Sequence, residues 1–250
     1  MFKVEKEVNN IIEFIRDYFK KNNLKGVVLG ISGGKDSAVV AGLFTLALGK
    51  ENVLGVTLPC HSEHTDASDA KLVSDYYGFE LTNIDLTPAY DNFINEINKL
   101  GTFTDEELKN SNINIKPRLR MASVYYLAAL YSAIKGGTYV VAGTSNKCEL
   151  YTGYFTKGGD NTFDIAVIND YTVSEVIKIG EYIKVPEKVL YKTPSDGLSN
   201  QTDEDKLGVK YSDIEKHLNN EELDKETEEK ILRLHNGAHH KFNIPMYKRN

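Results

Sequence analysis

Val27, Val28 and Leu29 form an apolar run that passes through Gly30 and Ile31 into Ser32-Gly33-Gly34-Lys35-Asp36-Ser37, and a second apolar stretch follows over residues 38–48. A buried strand that feeds a helix through paired glycines constrains the fold more than any other part of the chain. Gly33 and Gly34 can adopt positive φ and carry no Cβ, so successive backbone N–H groups and the helix start can face an anion. Ser32 and Ser37 add hydroxyl donors. Asp36 is repelled by a phosphate unless a cation lies between them, which makes it a candidate Mg²⁺ ligand. The loop therefore reads as a site for a metal-bound polyphosphate.

Spacing excludes two commoner loops. A Walker loop needs glycine at Leu29 and a hydroxyl residue at Asp36, and a dinucleotide fingerprint needs glycines at Ser32 and Lys35. The hexapeptide Ser32 to Ser37 resembles instead the S-G-G-x-D-S loop of the PP-loop ATP pyrophosphatases, which split ATP into AMP and pyrophosphate while adenylating an acceptor.

Around this loop the apolar periods alternate between strand and helix. Residues 1–22 carry Val4, Val8, Ile11, Ile12, Ile15 and Phe19 at helical spacing; residues 52–58, 80–84 and 138–142 read as further strands, and 66–77 and 89–100 as helices. Such alternation predicts an α/β fold with a parallel sheet covered on both faces, and ligands in such sheets bind at the carboxyl ends of the strands. Pro117 is placed at the first turn of a long helix to Lys135, whose broad apolar surface is either sandwiched in the fold or meets a second subunit. Residues 144–164, rich in glycine and without a helical period, read as a long functional loop. Residues 192–205 read as irregular, and residues 212–236 as charged helices with Ile214, Leu218, Leu223, Ile231 and Leu234 as sparse apolar positions. No linker divides the chain, so residues 1–250 are expected to form one domain.

Composition narrows the function. At 250 residues with a net charge of −6, the chain lacks the basic excess of a nucleic-acid-binding surface. Its amphipathic start is not a signal peptide, and no apolar run approaches the roughly 20 residues of a membrane span. A cytoplasmic protein without membrane or nucleic-acid partners is predicted. Cys60 and Cys148 form no C-x-x-C pair and read as free thiols, and His61 and His64 lack nearby cysteines to complete a zinc site.

Several separate stretches resemble one family. Gly143-Thr144-Ser145-Asn146-Lys147-Cys148-Glu149, Gly153-Tyr154-Phe155-Thr156-Lys157-Gly158-Gly159-Asp160 and Gln201-Thr202-Asp203-Glu204, with Asn114 to Met121 upstream and His240-Lys241 near the end, resemble the ammonia-dependent NAD synthetases. The resemblance covers essentially the whole chain. It implies a doubly wound, Rossmann-like α/β fold with a five-stranded parallel sheet, of the adenine nucleotide alpha hydrolase kind. It implies a ligase that uses ATP to adenylate deamido-NAD and ammonia to displace AMP, without a glutamine amidotransferase domain. Gly30, Ile31, Ser32, Gly33, Gly34, Lys35, Asp36, Ser37, Thr144 and Ser195 would contact ATP, and Asp36 and Glu149 would hold Mg²⁺. Arg118, Lys157, Asp164, His240 and Lys241 would hold deamido-NAD, with Asp36, Glu149 and Lys157 central to catalysis. A homodimer whose interface helps form the deamido-NAD site is also implied. Two positions depart from the family pattern: Val173 replaces the usual ATP-contacting lysine, and Phe242 the usual arginine after His-Lys. A different PP-loop ligase or tRNA-modifying enzyme, and a non-catalytic nucleotide-binding module, are the alternative readings.

Overall fold

The computed structural model describes residues 2–61, 65–193 and 202–249. His64 and Ser195 lie outside the described residues. Five parallel strands, β1 (Leu24–Gly30), β2 (Val53–Thr57), β3 (Glu80–Asn83), β4 (Thr138–Gly143) and β5 (Ile165–Ala166), form a sheet in the order β3-β2-β1-β4-β5. The chain winds outward from β1 through β2 to β3, then returns to β4 on the other side of β1. The crevice at the carboxyl ends of β1 and β4 is thus the switch point at which open α/β sheets bind ligands.

Side chains of β1 alternate between the two faces, as a strand's period of two requires. Val27 and Leu29 pack with Ile11, Ile15 and Phe19 of α1 (Val4–Lys21), with the apolar body of α2 (Lys35–Leu48), and with Val176 and Ile179 of α7 (Val173–Tyr182). Val28 points the other way, to Leu54, Val56 and to Val124, Leu127 and Ala128 of α5 (Asp105–Lys135). α3 (Thr65–Tyr77) joins the first layer through Ala70 and Val73. α4 (Thr87–Asn98) lies against α5. Burying both faces of β1 fixes the ends of β1 and β4, which hold the loops of interest.

Two expectations are corrected. The long helix starts at Asp105, not at Pro117. Thr104 and Glu107 form a capping box, with Glu107 accepting from the Thr104 N–H at 2.8 Å, and this cap outweighs the interior proline as a start signal. Pro117 is buried against Gly159, where an added Cβ would lie 2.9 Å from the Pro117 Cβ.

Residues 144–164 are not wholly a loop, because Lys147–Thr152 form α6. Six residues are too few to show a period, and the helix is fixed by its Asn146 cap and by buried Cys148 and Thr152.

The charged tail is helical as expected, with most of its Glu and Lys side chains exposed and its sparse apolar positions turned inward. After α8 (Glu187–Leu190), the helices α9 (Asp203–Leu207), α10 (Tyr211–Leu218) and α11 (Lys225–Phe242) build a third apolar cluster. Ile214 and Ile231 pack there with Cys148, Val173, Leu207, Val209 and Tyr211. Both cysteines are buried and neither forms a disulfide among the described residues, and no helix among the described residues is long and apolar enough to cross a membrane.

Candidate active site

The Ser32 to Ser37 loop is held from within. Ser37 Oγ donates to the Gly34 carbonyl (3.1 Å) and accepts from the Ser32 N–H (3.2 Å), while Ser32 Oγ accepts from the Gly34 N–H (3.2 Å). Since Ser37 gives its proton to Gly34, the 3.1 Å contact between the two hydroxyls has Ser32 as donor. Gly33 makes the turn at φ 79°. The Ile31 N–H donates to the Val56 carbonyl at 2.8 Å and ties the loop's start to β2. No side chain caps α2. Its first N–H groups point toward the switch point, where an anion can satisfy them.

A second helix start meets the first. Thr144, half-buried, leaves β4, and fully buried Asn146 caps α6 by accepting from the N–H groups of Cys148 (3.0 Å) and Glu149 (3.1 Å). Glu149 closes the box by accepting from the Asn146 N–H at 3.0 Å. The Asn146 amide also reaches Asp36 Oδ1 at 3.5 Å. One asparagine therefore positions both acids.

Asp36 and Glu149 share an acidic field. Burial, then the charge of Asp36, pushes the Glu149 carboxyl well above the usual carboxylate range, with Lys35 opposing. Lys35 is 5 % exposed and pairs with Asp36 at 2.9 Å. Burial lowers its ammonium pKa, but attraction to Asp36, Glu149 and Asp203 outweighs this and raises it. No group of three or more metal-type side chains clusters among the described residues. The pair Asp36 and Glu149 nevertheless fits Mg²⁺, which takes one or two carboxylates and completes its shell with water and phosphate oxygens. A divalent cation would neutralise the charge of the pair beyond what Lys35 offsets.

Arg118, Lys157, His240 and Lys241 converge in a second group. Arg118 donates from Nε and Nη2 to the Lys157 carbonyl, each at 3.2 Å. Lys157 Nζ donates to the His240 carbonyl (2.8 Å), and Lys241 Nζ to the carbonyls of Gly153 and Phe155 (2.7 Å each). Gly153, at φ 67°, lets α11 close on this loop, since a Cβ there would lie 2.0 Å from that of Ala238. Asp164 faces β4, accepting from the Val141 N–H (2.8 Å) and from the Tyr125 hydroxyl (3.1 Å). Burial, then Asp164, pushes the Tyr125 phenol up to about 12.

Four residues near the acids escaped the sequence reading as site residues. Asn146 is recognisable in retrospect by its N-x-x-E capping pattern. Asp203, Tyr154 and Tyr211 come together only through tertiary packing: the Tyr154 hydroxyl donates to Asp203 at 3.1 Å, and Lys35 Nζ lies 5.8 Å from the Tyr211 ring centroid. Val173 packs in the same apolar cluster as Tyr211, and Phe242 meets Phe155 edge-on at 5.1 Å. Both departures from the family pattern thus serve packing, and the cation beside Tyr211 is Lys35.

A doubly wound parallel sheet with an uncapped serine-glycine loop at its switch point, faced by two acids, defines a nucleotide-binding α/β enzyme of the PP-loop class. A family model described as NAD synthase matches residues 7–245, and the chain belongs to that family, whose members are ligases of NAD biosynthesis. It is 38% identical over 244 residues to the NH(3)-dependent NAD(+) synthetase of Alkaliphilus metalliredigens, covering 96% of each chain. Among solved structures, it is similar to an NMN synthetase from Francisella tularensis (TM-score 0.90, 32% identity, 100% of both chains covered). It is also similar to an NH3-dependent NAD synthetase from Campylobacter jejuni (TM-score 0.79, 28% identity, 99% and 100% covered).

Proposed function

We propose that this chain is an ammonia-dependent NAD(+) synthetase whose adenylation site is the crevice between the Ser32 to Ser37 loop and the start of α6. The carrying observation is that Asn146 links Asp36 to Glu149 beside an uncapped helix start. In this reading the nicotinate carboxylate of deamido-NAD attacks the α-phosphorus of ATP and pyrophosphate leaves. Ammonia then attacks the acyl carbon, AMP leaves with one carboxylate oxygen, and a proton is lost from nitrogen.

The loop N–H groups and the Ser32 and Ser37 hydroxyls, with Thr144, would hold the phosphates, and positioning together with electrostatic stabilisation supplies most of the catalysis. Mg²⁺ held by Asp36 and Glu149 would neutralise charge on the pyrophosphate leaving group. Arg118, Lys157, Asp164, His240 and Lys241 would form the deamido-NAD side.

The reaction would run in the cytoplasm on free ammonia. A second copy of the chain would cover the exposed stripe Tyr126, Leu130 and Ile134, spaced four residues apart on α5 and 70%, 40% and 64% exposed. Nucleic acid has no place in this reading.

A second reading is favoured by the higher TM-score to the NMN synthetase than to the Campylobacter NAD synthetase. In it, the acceptor is nicotinate mononucleotide and the product NMN. Incubating the protein with ATP, Mg²⁺ and ammonium, with either deamido-NAD or nicotinate mononucleotide, separates the two. NAD and stoichiometric AMP from deamido-NAD support the first reading; a much larger kcat/KM on the mononucleotide supports the second. No amidated product from either contradicts both, and activity with glutamine but not ammonium contradicts the donor.

A further inference from the structure

Lys35 combines three features that a phosphate-loop lysine exposed to solvent would lack. It is 95% buried, so its ammonium is not a free surface charge awaiting an anion. Its nearest partner is Asp36, 2.9 Å away, an acid on the same first turn of α2. It also lies between elements: Asn146 joins its partner Asp36 to Glu149 at the start of α6, and the Tyr211 ring of α10 lies 5.8 Å from its Nζ. Two linked acids thus meet beside one buried cation. Removing that cation would leave carboxylates packed together without compensation, a costly arrangement in an interior.

We propose that Lys35 is a positioning residue, the resident cation of the acid pair, which holds Asp36 and Glu149 in place before metal arrives and tempers the affinity with which they take Mg²⁺. This rests on the reading of Asp36 and Glu149 as metal ligands. A lysine ammonium is a compact point charge that can stay close to carboxylates while they turn toward another cation. Its positive charge repels an incoming divalent ion and competes for Asp36, so the site trades tight binding for order in the metal-free state. The Tyr211 ring, 5.8 Å from the ammonium, extends that order to α10.

The sign of this effect separates it from a plain packing role, which would weaken metal binding or leave it unchanged when Lys35 is altered. The test is Mn²⁺ binding, followed by electron paramagnetic resonance of free Mn²⁺, with and without α,β-methylene-ATP. The proteins compared are the wild type, Lys35→Met, Lys35→Gln, Lys35→Arg and Asp36→Asn. Lys35→Met and Lys35→Gln are expected to bind Mn²⁺ about tenfold or more tightly, because a nearby like charge is gone. Their metal-free melting temperatures should fall and recover more with Mn²⁺ than the wild type gains. Lys35→Arg, which keeps the charge, should stay within about twofold of the wild type.

Unchanged or weaker Mn²⁺ binding in both neutral variants overturns the proposal, as does an equal change in Lys35→Arg. If neither neutral variant folds even with millimolar Mn²⁺, the proposal also fails, since the metal should supply the missing charge. The ligand reading is tested separately: it fails if Asp36→Asn binds Mn²⁺ as the wild type does, or if the wild type binds none under either condition.

Discussion

The Lys157 ammonium donates to the main-chain carbonyl of His240 at 2.8 Å, tying the glycine loop after α6 to the last turn of α11 across 83 positions of sequence. The same loop receives Arg118 on its Lys157 carbonyl and Lys241 on its Gly153 and Phe155 carbonyls. Three cations proposed for the deamido-NAD side are therefore ordered by the protein's own backbone. Such preorganisation lowers the entropy that substrate must overcome on binding.

Lys157→Met removes that tie and a charge proposed to face deamido-NAD. A hydrogen bond to a charged group contributes about 1.5–3 kcal/mol, so KM for the acceptor should rise by about 10- to 100-fold. Steady-state kinetics with acceptor varied would check this; an unchanged KM would refute the placement.

Asn146→Ala should act on stability and turnover together. Losing the α6 cap costs about 0.5–2 kcal/mol, read as a lower urea midpoint. Because Asn146 also holds Asp36 and Glu149, kcat should fall by at least about tenfold at saturating Mg²⁺. A loss of stability with kcat intact would mean that the asparagine is only a cap.

Gly153→Val places a β-branched residue at φ 67° and its Cβ against Ala238. Strain and overpacking predict a destabilisation of about 2–4 kcal/mol by urea unfolding. Because α11 carries His240 and Lys241, hydrogen exchange should show its last turns opening first. Uniform protection throughout α11 would contradict this.

Asp69 gives a pH dependence away from the proposed metal ligands. Burial alone would raise its pKa, but Lys188 (2.7 Å) and Lys192 (2.8 Å) outweigh it and hold the carboxyl below the usual range. An acid whose folded pKa is depressed stabilises the fold above its unfolded pKa, and that contribution is lost as pH falls through the folded value. Lys188 is 67 % exposed and can return to water, so wild type should exceed Asp69→Asn by about 1–3 kcal/mol near neutral pH, and the gap should close in acid, below pH ~3.8. A gap that stays constant with pH would contradict the ionic origin.

Leu130→Glu on α5 should leave the fold intact and shift a dimer to monomer in sedimentation velocity at micromolar concentration. A wild type that is already monomeric there would count against the second copy on this face.

What the sequence made legible was local. Val27 to Ser37 announces a strand, a turn and a helix within a few residues, and the alternation that follows predicts the parallel sheet; its five strands follow from the family resemblance. Pro117 misled because a proline near a polar stretch looks like a helix start, whereas Thr104-x-x-Glu107 carries the stronger cap. α6 was hidden by its length, and its stability resides in Asn146 and in buried Cys148 rather than in a period. Asp203 and Tyr211 belong to short helices whose placement near Lys35 depends on the third apolar cluster, which sparse apolar positions in a charged tail do not reveal. The convergence of Arg118, Lys157 and Lys241 on main-chain carbonyls is likewise a tertiary fact, with no pattern to mark it in the sequence.

The account turns on acceptor adenylation in the crevice between the Ser32 to Ser37 loop and α6. Deamido-NAD labelled with ¹⁸O in both carboxylate oxygens, incubated with the protein, ATP, Mg²⁺ and ammonium, tests it most directly when the AMP is read by mass spectrometry. The account predicts one ¹⁸O in each AMP formed, with NAD in equal amount. NAD formed with unlabelled AMP, or with ADP and phosphate in its place, would contradict it.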